Sequence, residues 1–211
     1  MHIHRWIEAN IPTNGTVIEA GSWDGADTAF FAHHLRDGKV YSFEPFPSFY
    51  YQTCQRLYGV KNAEVSHYAL AEKTQPYTFY ISELNGNAWC SNSILKPKDH
   101  LIMNPHITFD KQMEVQGINL DDWLQEKRIE RIDMMWLDIQ GAEPAVLKAA
   151  PLTLSRTKYI YTEVSLVENY EGVLLYNEYK AFMETNGFEV IHEDLPNKDQ
   201  GDVLFRNKHL F

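Results

Sequence analysis

The stretch TVIEAGSWDGADT, residues 16–28, decides the fold. It begins with an apolar run that ends in Glu19, continues through a turn that contains Gly21 and Gly25, and leads into the segment AFFAHHL. This order is typical of a buried strand, a tight turn and the start of a helix. Glycines let the backbone approach a ligand closely, and the free N–H groups at a helix start point into the same space. The pattern predicts the first βα unit of a nucleotide-binding α/β sheet.

A second apolar run, residues 40–43, ends in Glu44 and is followed by Pro45. Glu44 stands 23 positions beyond Gly21. In a nucleotide-binding βαβ unit, a carboxylate at about that distance accepts hydrogen bonds from the ribose hydroxyls. The two stretches together predict a pocket for an adenosine-type ligand.

The composition is that of an ordinary globular protein. The chain has 211 residues, of which 44% are hydrophobic and 23% charged, and a chain of this length can bury a full core in one domain. The formal net charge of −10 argues against DNA or RNA as a partner. No apolar stretch approaches the roughly 18 residues of a membrane helix, and the N-terminal residues do not form a signal-peptide pattern. Cys54 and Cys90 have no CxxC spacing, so we expect a cytoplasmic protein without a catalytic thiol.

Strand-like and helix-like segments alternate along the rest of the chain, without repeats or linkers. Further strands are predicted at residues 40–43, 65–70, 76–82, 113–118, 132–139, 159–164, 188–193 and 202–206. Further helices are predicted at residues 47–58, with Tyr50, Cys54, Leu57 and Tyr58 on one face, and at residues 120–127 and 177–186. We expect one α/β domain over residues 1–211, doubly wound and Rossmann-like, with a mostly parallel sheet and an antiparallel last strand.

Two segments fall outside this alternation. Residues 1–12 are predicted to form a short amphipathic helix that covers a sheet edge or a pocket. Residues 83–112 lose periodicity and are rich in Asn, Pro, Ser and His. Because a long structureless stretch inside a compact domain is often functional, we expect residues 83–112 to be a lid or a substrate loop.

Acidic residues follow several of the predicted strands: Glu19, Glu44, Asp138 and Glu163. Ligands of such sheets bind at the carboxyl ends of the strands, and four acids there would repel a phosphate group. The chain has no GxxxxGK[ST] loop, and Trp23 and Ala26 replace the second and third glycines of the dinucleotide fingerprint.

A cofactor with a ribose, a positive charge and no phosphate fits these acids better, which favours S-adenosylmethionine. In this interpretation Glu44 binds the ribose and Glu19 lies near the ammonium group. The alternative is that Glu19 caps a backbone turn and Glu44 is solvated.

The segments VIEAGSWDGADT, SFEP, INLDDWLQEKRIERIDMMWLDIQGAEPAVLKAA, YTEVS and NGFEV resemble the FkbM family of S-adenosylmethionine-dependent methyltransferases. The resemblance extends over residues 17–206. WLDIQGAEPAVL is its most specific part and contains Asp138, Gln140 and Glu143. The chain differs from the family pattern in Trp23, where a small or amide residue is usual, and in Gln140, where Glu is commoner.

The resemblance implies O-methylation of a small-molecule or glycosyl acceptor, with S-adenosylmethionine as the cofactor. From the net charge and the lack of a membrane-helix pattern we expect no nucleic-acid or membrane partner. The resemblance leaves the oligomeric state open. The cofactor-binding residues that we expect are Glu19, Ala20, Gly21, Ser22, Asp24, Gly25, Thr28, Glu44, Pro45, Ala69, Ser93, Asp138 and Glu143. Ser93 is included because SNSIL, residues 91–95, is similar to a serine-containing segment of the family.

We expect Asp138 to be catalytic, since a carboxylate there can accept the proton of the acceptor hydroxyl. Glu163 is a second candidate base or substrate ligand. Alternatively, Asp138 caps the helix that begins near Pro144 or bonds the turn at Gly141, and Glu143 only stabilises the helix dipole. The acids Asp138, Glu143 and Glu163 also have the chemistry to share a divalent cation, but no tight ligand spacing supports one, so we expect no metal.

Two other functions remain open from the residues alone. A nicotinamide-dependent oxidoreductase is disfavoured by the missing glycines and by the lack of a Tyr-xxx-Lys pair that fits the predicted elements. A partner module that binds the adenosyl group without catalysis is the alternative outside the enzymes.

Overall fold

The computed structural model describes residues 2–210. Its strands are β1 (Thr16–Ala20), β2 (Lys39–Phe43), β3 (Ala63–Ser66), β4 (Ala69–Leu70), β5 (Pro76–Leu84), β6 (Asn87–Ala88), β7 (Ile107–Ile118), β8 (Ile132–Leu137), β9 (Thr157–Ser165), β10 (Phe188–Asp194) and β11 (Gln200–Asn207). Its helices are α1 (Ile3–Asn10), α2 (Ala26–His34), α3 (Pro47–Arg56), α4 (His100–Met103), α5 (Leu120–Lys127), α6 (Glu143–Lys148), α7 (Pro151–Arg156) and α8 (Tyr176–Thr185). None of these helices, at most ten residues long, combines the length and apolarity of a membrane span.

Seven strands form the main sheet, in the order β10-β11-β9-β8-β1-β2-β3. Strands β3, β2, β1, β8 and β9 are parallel, and β11 runs antiparallel to both β9 and β10. The chain builds outward from β1 to β3 and then returns to β8 on the other side of β1, so the strand order reverses between β1 and β8. The predicted doubly wound sheet with an antiparallel last strand is confirmed.

Helices cover both faces of this sheet, because its central strands are apolar on both sides. Strand β8 illustrates this arrangement. Met135 and Leu137 pack into a core cluster with α5, α6 and α8, whereas Met134 packs on the other face with Ile7 of α1 and Phe31 of α2. The predicted N-terminal helix therefore covers one face of the sheet.

The prediction that residues 83–112 lack structure is wrong. This segment contains β6, α4 and the first half of β7, and β7 pairs antiparallel with β5 from Ile107 to Gln116 in a second, four-stranded sheet with the order β4-β7-β5-β6. Most side chains in the first half of β7 are exposed or half-buried, so the strand lacks the apolar alternation that identifies a strand in a sequence. The predicted role as a lid stays a prediction.

The predicted face of helix α3 is only partly the buried one. Phe49 and Thr53 are the buried residues of α3, whereas Tyr50 and Cys54 are half-buried. Directly after the helix, Leu57 is buried as predicted and Tyr58 is 93% exposed.

Candidate functional site

A cavity of about 410 Å³ lies at the carboxyl ends of β1, β2 and β8, beside the point where the strand order reverses. This is the position at which open α/β sheets bind their ligands, and the volume lies in the usual range for a small-molecule site. The predicted site residues that line the cavity are Ala20, Gly21, Ser22, Asp24, Glu44, Pro45, Ala69 and Asp138.

The turn after β1 forms one wall. Gly21 and Gly25 have positive φ angles of 85° and 76°, and Trp23 also lies in the left-handed region. The backbone N–H of Gly21 donates a hydrogen bond to the carbonyl oxygen of Phe43, over 3.0 Å, which joins the turn to the end of β2. Because glycine adopts positive φ without a steric penalty, the predicted glycine turn forms where the sequence places it.

Glu44 connects this turn to the cavity. It is only 4% exposed, and its carboxylate accepts hydrogen bonds from the backbone N–H groups of Trp23 (3.0 Å) and Phe46 (2.9 Å). Burial raises its pKa to about 7. Each carboxylate oxygen has a second lone pair, so both oxygens can still accept a hydrogen bond from a hydroxyl group of a ligand. The alternative of a solvated Glu44 is therefore wrong.

Glu19 lies behind the cavity wall instead of in it. It is 1% exposed, and it accepts a hydrogen bond from the hydroxyl group of Thr28 on α2. Burial raises the pKa of Glu19 to about 7. Side chains alternate along β1, and this alternation directs Glu19 toward α2 while Ala20 lines the cavity. The structure thus places Glu19 and Thr28 as supports of the turn, which does not favour their predicted contact with the cofactor.

Four other predicted residues also lie outside the cavity wall: Gly25, Ser93, Glu143 and Glu163. Gly25 precedes α2, and its N–H donates to the carbonyl oxygen of Ser22 over 2.7 Å. The hydroxyl group of Ser93 donates to the backbone carbonyl oxygen of Gln140, over 2.9 Å. These two residues stabilise the turns that follow β1 and β8.

Asp138 is open to the cavity, although protein surrounds it on its other sides. Burial is therefore the main cause that raises the pKa of its carboxyl group. The side chain of Asp138 accepts a hydrogen bond from the Gln140 amide over 2.8 Å. Helix α6 has no side-chain cap, and the turn N–H of Ile139 donates to Glu143 over 2.7 Å. The alternative in which Asp138 is a helix cap is wrong, and Glu143 bonds this turn.

Three acids converge at this point. Ligand oxygens of Asp138, Glu143 and Glu163 all lie within 4.8 Å of one another, a spacing at which carboxylates can share a divalent cation. Glu143 is buried, and its burial raises the pKa to about 8. Glu163 accepts hydrogen bonds from the side-chain amides of Gln140 (3.1 Å) and Gln200 (2.6 Å). Amide donors thus already surround two of the three acids.

The sequence interpretation missed a second part of the cavity wall, which consists of Asp27, Trp136, Tyr161 and Asp202. The rings of Trp136 and Tyr161 lie side by side, with centroids 4.4 Å apart. Tyr161 and Asp202 line the cavity together, and burial raises the pKa of Asp202 to about 6. Trp136 and Tyr161 each lie two residues before an acid that the sequence did single out, Asp138 and Glu163, but no pattern marked Asp202.

Apolar side chains complete the cavity near Glu44, among them Phe43, Phe49, Leu70, Phe79 and Ile94. The charged side chains among the described lining residues are all acids: Asp24, Asp27, Glu44, Asp138 and Asp202. An apolar surface suits an adenine ring, Glu44 suits a ribose, and the acids favour a cationic ligand over a phosphate. The residues present therefore fit S-adenosylmethionine.

Solved structures share this fold. A fibrillarin pre-rRNA processing protein of Methanococcus jannaschii has a TM-score of 0.57 and 14% sequence identity, and the match covers 94% of this chain and 69% of that one. The N-terminal domain of EvdMO1, solved in the presence of SAH and D-fucose, has a TM-score of 0.54 and 14% identity, with 97% and 81% of the two chains covered. At these identities the likeness shows the class I methyltransferase fold alone.

Sequence similarity to known proteins shows the family as well as the fold. The 2-O-methyltransferase NoeI of Sinorhizobium fredii is 32% identical over 215 residues, which cover 100% of this chain and 87% of NoeI. The methyltransferase sdnD of Sordaria araneosa is 25% identical, with 90% and 80% covered. Residues 9–190 match the methyltransferase FkbM domain. The chain therefore belongs to the FkbM family of S-adenosylmethionine-dependent methyltransferases.

Proposed function

We propose that this methyltransferase transfers a methyl group to a hydroxyl of a small glycosyl acceptor and that Asp138 is the general base. The observation that carries the proposal is the continuity of one cavity from Glu44 to Asp138 and on to the wall of Trp136 and Tyr161. A cofactor and an acceptor bound in this cavity meet at Asp138. Two relatives support an oxygen acceptor on a sugar, since NoeI is a 2-O-methyltransferase and EvdMO1 was solved with D-fucose.

Glu44 would hold the ribose of the cofactor, and the Gly21 turn would lie along the rest of it. When bound, S-adenosylmethionine supplies a sulfonium methyl group, which the acceptor oxygen takes up while sulfur keeps the electrons of the broken bond. Asp138 receives the hydroxyl proton, so charge and protons balance. The raised pKa of Asp138 brings this base closer to neutral pH, where proton transfer is most efficient.

The part of the cavity wall formed by Asp27, Trp136, Tyr161 and Asp202 suits a sugar ring. Sugars combine an apolar C–H face with hydroxyl groups around the rim. Trp136 and Tyr161 offer an aromatic surface for such a face, and the carboxylates of Asp27 and Asp202 can accept hydrogen bonds from hydroxyl groups. No finding favours a nicotinamide cofactor, whose pyrophosphate the acidic lining would repel, or a partner module without catalysis.

The test is a labelled-methyl screen of simple glycosides, polyols and phenols with the purified protein. We expect transfer to a glycoside. Asp202→Asn and Tyr161→Phe should then raise the acceptor KM by roughly 10- to 150-fold, the range for lost hydrogen bonds to a charged group. Affinity for S-adenosylhomocysteine should stay within about twofold. Tyr58→Phe, at an exposed position just after α3, is the matched control. Transfer to phenols alone would contradict the proposed acceptor.

A further inference from the structure

The side-chain amide of Gln140 lies between two carboxylates. Its Nε2 atom is 2.8 Å from Oδ1 of Asp138 and 3.1 Å from Oε2 of Glu163. An amide nitrogen carries two hydrogens, so one glutamine can donate to both acids at once. Gln140 is itself buried, which keeps water from replacing these hydrogen bonds.

The surroundings fix which end of the amide faces the acids. The hydroxyl group of Tyr170, a residue only 1% exposed, lies 2.9 Å from Oε1 of Gln140, to which it can donate, and 2.8 Å from the carbonyl oxygen of Ser91. The reverse orientation of the amide would direct Oε1 at two carboxylates, which is electrostatically unfavourable. The two acids therefore set the orientation, and the single phenolic hydrogen of Tyr170 is shared between Oε1 of Gln140 and the carbonyl oxygen of Ser91.

The backbone of Gln140 also has a fixed conformation. Gln140 has a φ of 55° and is followed by Gly141 with a φ of 95°, so the chain makes a left-handed turn directly after β8. The hydroxyl group of Ser93 donates to the carbonyl oxygen of Gln140. A non-glycine residue at positive φ is uncommon and requires support from its surroundings, which Ser93 and Tyr170 supply.

The two acids need a donor between them. The other titratable groups that act on Asp138 and Glu163 are all acids or neutral groups: Asp27, Glu44, Cys90, Glu143, Tyr170, Asp199 and Asp202. Two carboxylates that share a site without a donor cannot both stay ionised at neutral pH, and one takes up a proton.

We infer that Gln140 is a positioning residue whose amide donates to Asp138 and Glu163 at once, favours their ionised forms and directs Asp138 into the cavity. The amide takes the place that a shared cation would fill. The inference rests on the proposed function in so far as Asp138 acts as the base. It gives a reason for the departure from the family pattern at position 140, where a glutamate would add a further negative charge.

The test compares Gln140→Met, which keeps the side-chain length and removes the donor, with Gln125→Met on the exposed face of α5 as the control. Carboxyl ¹³C NMR titration of Asp138 and Glu163 needs no acceptor. We expect the upper of the two titrations to move up by about one pH unit or more in Gln140→Met. The acidic limb of the kcat/KM profile should move with it, while the affinity for S-adenosylhomocysteine stays within about twofold.

Unchanged titrations in a folded Gln140→Met variant would overturn the inference, even if a glycoside is methylated. Shifted titrations without methylation of any acceptor would support it and contradict the proposed function, so the two failures can be told apart. If Gln140→Met does not fold, the side-chain amide protons of wild-type Gln140 provide the readout. Their NMR shifts should follow the titration of both acids, and amide signals that ignore pH would overturn the inference.

Discussion

The carbonyl oxygen of Asp138 packs directly against Gly21. A Cβ atom at position 21 would lie 1.9 Å from this oxygen, and the N–H group of Asp138 donates to the carbonyl oxygen of Ala20 over 3.0 Å. The glycine turn after β1 and the proposed base are therefore adjacent parts of one packed unit of the cavity wall, and a shift in either moves the other. This contact requires glycine, because Gly21 also has a positive φ.

Gly21→Ala should abolish cofactor binding and strongly destabilise the fold. Gly59→Ala is the matched control, since Gly59 has a similar φ of 82° but nothing within 4 Å of its Cβ position. Both substitutions carry the left-handed strain of roughly 1–2 kcal/mol, and only Gly21→Ala adds the clash with backbone. Thermal melting and calorimetry with S-adenosylhomocysteine measure the difference. Equal melting temperatures in the two variants would contradict the packing described above.

Glu44→Ala should weaken the binding of S-adenosylhomocysteine by about 1.5–3 kcal/mol, the range for hydrogen bonds to a charged group. Since burial raises the pKa of Glu44 to about 7, we also expect the wild-type affinity to fall as the pH drops below about 7. Calorimetry from pH 6 to pH 8 measures both effects. Glu126→Ala, on the exposed side of α5, should bind like wild type. An affinity that is independent of both Glu44 and pH would exclude the proposed ribose contact.

Glu19 and Glu44 were both predicted as strand-end acids in the cofactor site, but only Glu44 lines the cavity. Glu44 follows the last residue of β2 and reaches the cavity, whereas Glu19 lies one residue before the end of β1, on the α2 side. A sequence shows that a strand ends in an acid, but a shift of one residue moves the side chain to the other face of the sheet. Local patterns were therefore enough to predict the pocket. They could not decide which of two neighbouring strand-end residues has its side chain in the pocket.

The sequence patterns could not predict which strands pair when they lie far apart in the chain. Asp202 reaches the cavity because β11 inserts between β9 and β10, and nothing near position 202 signals that topology. Strand β7 owes its structure to pairing with β5 and β4 along ten of its 12 residues and has few buried side chains of its own. The motif after β8 was identified from the family resemblance, yet the link from Ser93 to Gln140 depends on a loop whose path only the fold defines.

Glu143 should make the free protein less stable at alkaline pH. Burial raises its pKa from 4.5 to about 8, so between these values the folded state binds a proton that the unfolded chain releases. Stability from this group is therefore lost as the pH rises toward 8. Glu143→Gln keeps the acceptor oxygen for the N–H of Ile139 and removes the titration.

We expect Glu143→Gln to be as stable as wild type near pH 5 and more stable at pH 8. The gap should grow by at most about 1.4 kcal/mol per pH unit. Urea unfolding at several pH values, without cofactor, measures this, with Glu126→Gln as the control. A constant difference across the pH range would show that Glu143 does not titrate in this window.

Cys90 provides a probe of the cavity. It lines the cavity and is exposed, whereas Cys54 on α3 is half-buried and outside the wall. Saturation with S-adenosylhomocysteine should slow the alkylation of Cys90 at least about tenfold, because a ligand shields the thiol, and should leave Cys54 unchanged. Mass spectrometry at pH 9 separates the two sites, and the Cys90→Ser variant checks the assignment. If residues 83–112 act as a lid, addition of an acceptor should protect Cys90 further.

Asp138→Asn separates chemistry from folding most sharply. The amide keeps the volume of the side chain and can still accept the hydrogen bond from Gln140, but it cannot take up a proton. The melting temperature and the affinity for S-adenosylhomocysteine should therefore change little, while turnover falls by roughly 10²-fold or more, the scale for a lost general base.

For wild-type Asp138, burial raises the pKa, so activity should decline on the acidic side at a higher pH than an ordinary aspartate would give. A chelator should leave wild-type turnover unchanged. Activity that is lost to a chelator and restored by Mg²⁺ would assign the three acids to a cation instead, and wild-type turnover in Asp138→Asn would exclude Asp138 as the base.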